Sequence, residues 1–369
     1  RAATDDAVKG IVLTSGKSSF VAGADIKDMV TAYDRGMTPK EAFEFSYGLN
    51  QTLRKMETCG KPVAAAINGL ALGGGLEVCL ACHYRVLADD PRAVTGFPEV
   101  NIGLMPGAGG TQRTPRLIGF REAATMILQC RNKKPEQALK LGLVDELAPA
   151  EQVVERARRW VLEEGDPVAP WDKKGFKIPH GGLMHPGTAQ TFIMGNSLLA
   201  KNTRHNYPAP IAAQSAIYEG CATSIDDGLK IESQYFGNLL SGPVARNMMR
   251  SLFVNKGNAD KLARRPEGIE KSKVSKLGIL GAGMMGAGIA YVSAKAGIGV
   301  VLLDTSLENA ERGKAYSEGL LKKAIERGRS TEEKAAALLG LIKPTTDYAD
   351  LEGCDLVIEA VFESQQLKA

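Results

Sequence analysis

Residues 68–90 of the chain read NGLALGGGLEVCLACHYRVLADD, and this stretch decides the fold class. A glycine cluster at 73–75 is followed by a short apolar helical pattern and then by an apolar run over Tyr84–Ala88. Two earlier apolar runs, Ile11–Ser15 and Pro62–Ile67, have the composition of strands that are covered on both faces. The order of strand, turn, helix and strand predicts an α/β protein.

The overall composition narrows the range of functions. With 369 residues, the chain is long enough for two or three globular units. Its 46 lysine and arginine residues nearly balance 42 aspartate and glutamate residues, which gives a formal net charge of +4. Binding to nucleic acid or to an anionic membrane draws on a strong field of one sign, so neither partner is expected. The 41 glycines are typical of α/β enzymes, which use many tight turns and close backbone approaches.

Cysteine usage and the chain ends indicate the setting of the protein. Six cysteines are too few for a disulfide framework in so long a chain, which favours a reducing, intracellular compartment. No apolar run reaches the length of about 18 residues that a transmembrane helix needs, and the first residues do not have a signal-peptide pattern. Both ends read as the interior of a domain, so we expect a fragment truncated at both ends, with N-terminal strands missing.

Changes in composition along the chain predict three regions. Helical patterns with charged faces occupy about 121–141 and 151–164. Between 165 and 186 the sequence is rich in Pro, Gly, Lys and His without an apolar period, which is typical of a linker. Helical patterns return over 188–262 and predict a helical connector. The predicted domains are residues 1–170, 171–270 and 271–369.

The glycine cluster predicts a helix start that stabilises negative charge. A helix beginning at Gly74 points its unpaired N–H groups and the positive end of its dipole outward. Since glycine lets a ligand approach the backbone, an oxygen seated there would be stabilised as charge develops on it. Glu77 lies one turn further on, and its carboxylate can lie on the same face. The alternative is ordinary close packing of helix on strand, without a ligand.

A second glycine-rich segment carries another carboxylate. It reads FPEVNIGLMPGAGGTQR over 97–113, and Pro98 restricts the backbone before Glu99. Two carboxylates in such contexts favour acid–base chemistry, because one can take a proton from water while the other delivers a proton to carbon. The spacing alone leaves open whether Glu77 and Glu99 meet.

Three segments together resemble the enoyl-CoA hydratase/isomerase (crotonase) superfamily. The resemblance extends from about Val8 to Trp160 and implies a crotonase-type spiral fold of ββα units. The segments are FVAGADIKDM at 20–29, INGLALGGGLE at 67–77 and GFPEVNIGLMPGAGGTQRTPRLIG at 96–119.

This resemblance implies a set of site residues and an activity. Backbone N–H groups of Ala24 and Gly74 would hold a thioester oxygen, and Glu77 and Glu99 would be the catalytic residues. The implied reaction is syn hydration of a trans-2-enoyl-CoA, with Glu77 mainly activating water and Glu99 mainly exchanging the proton at Cα. A Δ3,Δ2-enoyl-CoA isomerase in the same pocket is the alternative among enzymes, and a non-catalytic scaffold that docks a thiolase is the alternative of another class.

A dinucleotide-binding pattern follows near residue 281. Gly281, Gly283 and Gly286 form a G-x-G-x-x-G motif between the apolar run 277–280 and a helical pattern. A second apolar run ends in Asp304, close to the spacing at which an acid meets the ribose hydroxyls of a dinucleotide. Because an acid repels a 2′-phosphate, the pattern favours NAD over NADP. The alternative is a glycine-rich turn without a cofactor.

The order of the regions resembles the multifunctional enzymes of fatty-acid β-oxidation, in which a 3-hydroxyacyl-CoA dehydrogenase with a Rossmann domain follows the hydratase. The segments LGAGMMGAGIAYVSAKAG and DLVIEAVFE carry this resemblance. It implies that Met285 and Asp304 lie near the NAD and Glu363 near its nicotinamide side. The catalytic Ser and His of that family are expected beyond Ala369, so this fragment is not expected to oxidise hydroxyacyl-CoA.

The same resemblance implies partners. Acyl-CoA thioesters are the expected substrates, NAD is the expected cofactor of the dehydrogenase half, and a thiolase β subunit and an oligomeric assembly are expected. No metal is expected. For location, the sequence favours the bacterial cytoplasm and leaves the mitochondrion open.

Two other short motifs do not predict a function. Cys79, Cys82 and His83 match the C-x-x-C-H string of haem attachment, but attachment needs export, so we expect the two cysteines to pack as small apolar side chains. The segment GIVLTSGKS departs from a Walker A loop because its glycines are one residue too far apart. The remaining histidines lack metal-ligand spacing.

Overall fold

The computed structural model describes residues 2–270 and 272–368. They form two compact units, Arg1–Arg264 and Arg265–Ala369. The sequence predicted three domains, but the helices after residue 171 pack onto the first unit and do not stand apart as a connector. The predicted boundary at 271 falls on a residue outside the described ones.

A parallel sheet lies at the centre of the first unit. Four strands pair in the order β1, β2, β4, β6, while the short β3 and β5 pair separately, also in parallel. All five residues of β2 are buried, and their small side chains (VAAAI) let α7 pack closely on the strand. The strands are β1 (Ile11–Leu13), β2 (Val63–Ile67), β3 (Ala71–Leu72), β4 (Tyr84–Ala88), β5 (Thr95–Gly96) and β6 (Glu146–Ala148).

Seven α-helices accompany these strands in the described residues up to 164. A capping box formed by Thr38 and Glu41 begins the second of them. The helical pattern predicted over 121–141 is two helices, interrupted where Cys130 adopts a φ of 49°. The helices are α1 (Ile26–Asp34), α2 (Pro39–Glu57), α3 (Gly74–Leu80), α4 (Gly110–Ile118), α5 (Phe120–Leu128), α6 (Pro135–Leu141) and α7 (Val153–Glu163).

Further helices complete the first unit. One of them, α10, packs against α2 and α9 and buries an apolar face that includes Leu229 and Phe236. A π-helical segment, Met249–Asn255, and 3₁₀ turns at Ala2–Thr4, Glu99–Ile102 and Pro170–Asp172 are also present. The helices are α8 (Pro186–Thr203), α9 (Pro208–Cys221), α10 (Ile225–Leu240), α11 (Pro243–Met248) and α12 (Lys256–Asp260).

A network of ion pairs joins α2 to α4 and reaches α10 at its exposed end. Arg113 forms an ion pair with Glu57 at 3.0 Å, and both side chains are almost fully buried. Arg54 binds the same Glu57 at 2.9 Å and also reaches Asp172 and Asp226. Removing one partner from a buried pair of this kind leaves an uncompensated charge, which typically costs about 3–5 kcal/mol. The buried pair therefore holds α4 against α2, while Arg54 links α2 to Asp172 and to the exposed Asp226 of the predicted connector.

The second unit is a four-stranded parallel sheet flanked by helices. Its strands lie in the order β10, β7, β8, β9. β8 and β9 lie on one side of β7 and β10 lies on the other, so the strand order reverses between β7 and β10. Ligands of open α/β sheets bind at such a reversal, outside the carboxyl ends of the strands. The elements are β7 (Lys276–Leu280), α13 (Met284–Lys295), β8 (Gly299–Leu303), α14 (Leu307–Glu326), α15 (Glu332–Gly340), β9 (Ile342–Thr345), a 3₁₀ turn (Tyr348–Leu351), β10 (Leu356–Glu359) and α16 (Gln365–Lys368).

Further observations concern membrane-spanning helices, metal sites and the C-x-x-C-H string. Among the described residues, no helix is long and apolar enough to span a membrane, and no cluster of side chains is suited to a metal ion. Cys79 and Cys82 are free and buried, and their thiols donate to backbone carbonyls one turn earlier. His83 binds backbone groups of Val63 and Glu57 with its two ring nitrogens. The C-x-x-C-H string is therefore part of the packed core.

Candidate active site

Glycines determine how helix α3 begins. Gly73 has a φ of +54°, which favours glycine, and α3 starts at Gly74 as the sequence predicted. A Cβ at Gly75 would collide with the carbonyl oxygen of Val21, whose own backbone pairs with Ala71. Glycine at position 75 thus lets the chain around Val21 lie directly against the start of the helix.

Two N–H groups remain free at this place. Within the residues that the structure describes, neither Ala24 nor Gly74 has a protein acceptor for its backbone N–H. Gly74 is the first residue of the helix, where the dipole adds positive potential. Both residues line one cavity of about 130 Å³. An oxygen that gains negative charge in this cavity would find two unused donors.

Glu77 lies on the first turn of α3 and is buried. Its Oε1 accepts hydrogen bonds from the backbone N–H groups of Ala108, at 2.7 Å, and Gly110, at 2.8 Å. Its Oε2 faces the helix start, since a Cβ at Gly74 would lie 4.0 Å from it. One carboxylate oxygen is therefore fixed by the loop at 107–111, while the other is directed towards the cavity.

Glu99 opens the 3₁₀ turn Glu99–Ile102 on the other side of the cavity. Its Oε2 is buried and has no partner among the described residues. Its Oε1 occupies space that only glycine leaves free, because a Cβ at Gly73 would lie 2.5 Å from it. The structure thus brings the second carboxylate to the same glycine turn as Glu77.

The cavity collects the sequence-predicted residues of the first unit. Ala24, Gly74, Glu77 and Glu99 all line it. A larger cavity of about 1060 Å³ lies among α5, α8 and α9, and neither carboxylate lines it. The other residues that line the smaller cavity are mostly apolar: Ala22, Gly23, Ile26, Met29, Phe45, Leu49, Gly73, Pro98, Ile102, Leu104, Met105, Gly107, Ala108 and Phe236.

Burial shifts both carboxyl groups towards the protonated state. It raises the pKa of Glu99 to about 8, and the charge of Glu232 adds to this rise. Burial also raises the pKa of Glu77, as do the charges of Glu232 and Glu99, while the N–H groups of Ala108 and Gly110 oppose the rise. Hydrogen bonds from backbone N–H groups thus oppose the effect of burial at both residues, from the loop at Glu77 and from its own backbone at Glu99.

Glu232 is a site residue that the sequence reasoning missed. It lies on α10, is fully buried, and binds the N–H groups of Gly109 and Thr111. A signal was present in the sequence, since Glu232 falls on the same helical face as Leu229 and Phe236. An acid in the middle of an otherwise apolar face needs buried partners.

The glycine turn of the second unit fits a dinucleotide. Gly281 has a φ of +97°, a Cβ at Gly286 would collide with the Gly281 carbonyl, and a Cβ at Gly283 would meet open space. Within the described residues, the N–H groups of Met284 and Met285 have no protein acceptor at the start of α13. These are the features by which a turn of this kind admits a pyrophosphate.

The other predicted cofactor residues lie around this turn. Asp304 follows β8, and its Oδ2 accepts from the N–H of Ala282 at 2.7 Å. Burial acts to raise the pKa of Asp304, but hydrogen bonds from Ala282 and Thr305 outweigh it and lower that pKa. The carboxylate is therefore charged near the strand end. Met285 is exposed, and Glu363 is exposed and binds Lys368 at 2.7 Å.

Two family models match the chain. Residues 1–164 match the model described as enoyl-CoA hydratase/isomerase, and residues 276–369 match the NAD-binding domain of 3-hydroxyacyl-CoA dehydrogenase. Among solved structures, that of human mitochondrial delta3-delta2-enoyl-CoA isomerase has a TM-score of 0.48 at 21% identity, and the similarity covers 70% of this chain and 84% of that one.

Curated relatives are similar along almost the whole chain. The fatty acid oxidation complex subunit alpha of Shewanella halifaxensis is 37% identical over 367 residues, which are 99% of this chain and 51% of that protein. The protein of the same name from Pseudomonas paraeruginosa is 37% identical over 371 residues, with coverage of 99% and 50%. The chain spans about half the length of the curated relatives it matches. The chain thus carries an enoyl-CoA hydratase/isomerase domain over residues 1–164 and a 3-hydroxyacyl-CoA dehydrogenase NAD-binding domain over residues 276–369, and it is similar to the fatty acid oxidation complex subunits alpha along almost its whole length.

Proposed function

We propose that the first unit hydrates trans-2-enoyl-CoA thioesters to 3-hydroxyacyl-CoA in fatty-acid β-oxidation. One observation carries the proposal: in the described part of the chain, two N–H groups without protein acceptors, the buried Glu77 and the half-buried Glu99 line a single cavity. The N–H groups of Ala24 and Gly74 would hold the thioester oxygen. Polarising that carbonyl makes Cβ electrophilic and stabilises the charge that moves onto the oxygen during attack.

The two glutamates divide the proton transfers. The ionised Glu77 takes a proton from water through Oε2 while the water oxygen forms its bond to Cβ. The electron pair of the alkene then takes a proton at Cα from Glu99. Glu77 ends protonated and Glu99 ionised, and proton exchange with solvent restores the starting state. The substrate gains one water, so the step balances without a cofactor.

An assay of the purified chain with trans-2-butenoyl-CoA tests this proposal. Loss of the conjugated double bond and appearance of 3-hydroxybutyryl-CoA support it. Absence of hydration by a folded chain would leave the scaffold alternative, in which the same fold docks a thiolase. In that case Glu77→Gln and Glu99→Gln would not change thiolase binding.

A second activity is favoured by the position of Glu99. Its Oε2 has no protein partner among the described residues and lies at the cavity, so Glu99 alone can, in its ionised form, remove a proton at Cα and return it at the γ carbon. The same oxyanion donors stabilise the dienolate formed between these steps. We therefore propose that cis-3-enoyl-CoA is isomerised to trans-2-enoyl-CoA in the same cavity, and a substrate assay with cis-3-enoyl-CoA tests this.

For the second unit, we propose that NAD binds at the glycine turn and serves the oxidation of 3-hydroxyacyl-CoA in the full-length protein. NAD, when bound, supplies the hydride acceptor. The turn would hold the pyrophosphate, and Asp304 would accept from the ribose hydroxyls. Calorimetry with NAD and with NADP tests the preference for NAD. The proposed contact residues are Gly281, Gly283, Met285, Gly286, Asp304 and Glu363.

The partners of the whole protein are proposed on the same basis. The relatives carry the name of a complex subunit, which supports a partner subunit, and we propose a thiolase β subunit within an oligomer. The named relatives are bacterial, which supports the bacterial cytoplasm as the location. Co-purification with a thiolase, followed by measurement of the mass of the complex, tests both the partner and the oligomer.

A further inference from the structure

Glu77 and Glu232 bind alternate N–H groups of one loop, the 107–111 loop. Of the four successive N–H groups of residues 108–111, Glu77 Oε1 accepts the first and third. Glu232 accepts the second at 2.5 Å, through Oε1, and the fourth at 2.8 Å, through Oε2. Residues on α3 and α10 thus hold the same short piece of backbone, and displacement of one carboxylate displaces the donors of the other.

We propose that Glu232 is a positioning residue for the hydration, which fixes the 107–111 loop from α10 and thereby aims the carboxylate of Glu77 at the substrate. This inference rests on the proposed function. Glu232 is not among the residues that line the cavity, so it acts through Glu77 and the loop and does not touch the substrate. Glu232 is not among the site residues that the sequence motifs predicted.

Burial raises the pKa of Glu232, and the hydrogen-bond donors around its carboxyl group oppose this rise by favouring the ionised form. Besides the two loop N–H groups, the hydroxyl of Thr111 donates at 2.6 Å and the side-chain amide of Asn50 at 3.2 Å. The Thr111 hydroxyl also accepts a hydrogen bond from the side-chain amide of Gln112, so the proton of the hydroxyl is directed to Glu232. A carboxyl group surrounded by four donors is an acceptor only, which is the charged form.

Helix α2 completes the support of the loop. The hydroxyl of Ser46 donates to the carbonyl of Gly107 at 2.6 Å, and Asn50 donates to the same oxygen at 3.2 Å. Arg113 donates to the carbonyl of Ala108 at 3.2 Å. Both the N–H and the C=O groups of this loop are therefore bound by buried side chains, which leaves Glu77 little freedom to reorient.

The charge of Glu232 also acts on the two catalytic candidates. No lysine, arginine or histidine forms an ion pair with it in the described part of the chain. Its charge raises the pKa of both Glu77 and Glu99, second to burial for Glu77. The titratable or charged groups that interact with Glu232 are Glu77 on α3, Glu99, Arg116 on α4 and Cys221 on α9. The ion pair of Glu57 on α2 and Arg113 on α4 acts with Glu232 on the same Arg116.

Glu232→Gln tests both effects with little change of volume. The amide must turn its NH₂ towards one of the donors, which loosens the loop, and kcat for hydration should fall on the order of 10²-fold with a much smaller change in KM. Loss of the charge lowers the pKa of Glu77 and Glu99. The pH profile of kcat/KM should therefore shift to lower pH by about one unit.

Two further variants separate positioning from mere stability. Glu57→Gln neutralises another buried carboxylate in the same unit, and its charge is not a cause of the shifts at Glu77 or Glu99. It should lower the melting temperature but leave the pH profile in place. Glu232→Asp keeps the charge on a shorter side chain, so kcat should fall while the pH profile stays where it is in the wild type.

A second, milder variant tests the same contact in case Glu232→Gln does not fold. Thr111→Val removes one hydroxyl donor of Glu232 and keeps the backbone N–H, so kcat should fall with KM little changed. The proposal is overturned if Glu232→Gln has the wild-type kcat and pH profile, or, where that variant does not fold, if Thr111→Val has the wild-type kcat. If the wild-type chain does not hydrate trans-2-butenoyl-CoA, the proposed function itself fails, which is a distinct result.

Discussion

Two glycine turns, one in each unit, begin a helix in the same way and prepare it for different chemistry. Helix α3 follows Gly73 and α13 follows Gly283, and both present backbone N–H groups without protein acceptors in the described residues. The surroundings differ. The first turn lies in a small cavity that Glu77 and Glu99 also line, whereas the first two residues of α13, Met284 and Met285, are 87% and 64% exposed.

The contrast indicates what burial adds to a helix start. An exposed turn suits a permanent charge such as a pyrophosphate, which stays partly hydrated while it binds. A buried turn excludes water, so its donors act more strongly on charge that appears only during a reaction. The same burial raises the pKa of Glu99 beside the first turn, whereas at Asp304 hydrogen bonds outweigh burial and lower the pKa. We therefore propose that one backbone motif serves catalysis in one unit and cofactor binding in the other.

The largest effect is expected from the acid of the buried turn. Glu99→Gln should lower hydration about 10²–10⁴-fold, because the glutamine cannot deliver a proton to Cα. Isomerisation of cis-3-enoyl-CoA should fall with it, since the same carboxyl group shuttles that proton. Initial rates with both substrates check this, and a Glu99→Gln variant that still isomerises would remove Glu99 from the proton path.

The next largest effect concerns the N–H group of Gly74. Gly74→Pro removes that donor at the first position of the helix, where proline is tolerated, and should cost about 10²–10³ in hydration rate. Gly74→Ala is the matched control, because a Cβ there meets only Glu77 Oε2, at 4.0 Å, and the N–H remains. Similar rates for the two variants would show that this donor does not serve the reaction.

The pH dependence of hydration tests the effect of burial on the pKa of Glu99. The pKa of Glu99 is raised to about 8, and Glu99 must be protonated to supply the proton at Cα. Loss of that proton should therefore give kcat/KM a basic limb near pH 8, above which kcat/KM falls about tenfold for each further pH unit. Rates between pH 6 and 10 check the position of this limb. A limb near the ordinary range of a glutamate would contradict the burial of its carboxyl group.

The smallest effect is expected at the exposed turn. Asp304→Asn should weaken NAD binding about tenfold, because the charged acceptor for the ribose hydroxyls is lost. Asp355→Asn is the matched control, since Asp355 also accepts from two backbone N–H groups in the same unit but follows the 3₁₀ turn before β10. Calorimetry should show weaker binding only for the first variant, and equal affinities would remove Asp304 from the cofactor site.

The sequence allowed the local features of both turns to be predicted. The start of α3 at Gly74, the strand Tyr84–Ala88 and the membership of both family domains were predicted correctly. These features depend on residues close together in sequence, where periodicity and glycine positions carry the information. That four residues from three segments line one cavity was expected only through the resemblance, since the spacing left the meeting of the carboxyl groups open.

The contribution of α10 was beyond the reach of sequence patterns. Glu232 binds the N–H of Gly109, 123 residues earlier in the chain, and no local period reports such a contact. The predicted division at residue 171 also separated α10 from the unit onto which it packs. The apolar face of α10 was predicted, but the partner of that face depends on tertiary packing that composition does not encode.

The central claim is that Glu77 activates water while Glu99 moves the proton at Cα. The ratio of hydration to isomerisation in Glu77→Gln tests it most directly, because only hydration needs the activated water. The account predicts that hydration falls about 10²–10⁴-fold while isomerisation stays within about tenfold of the wild type. An equal loss of both activities, or hydration at the wild-type rate, would contradict this division of roles.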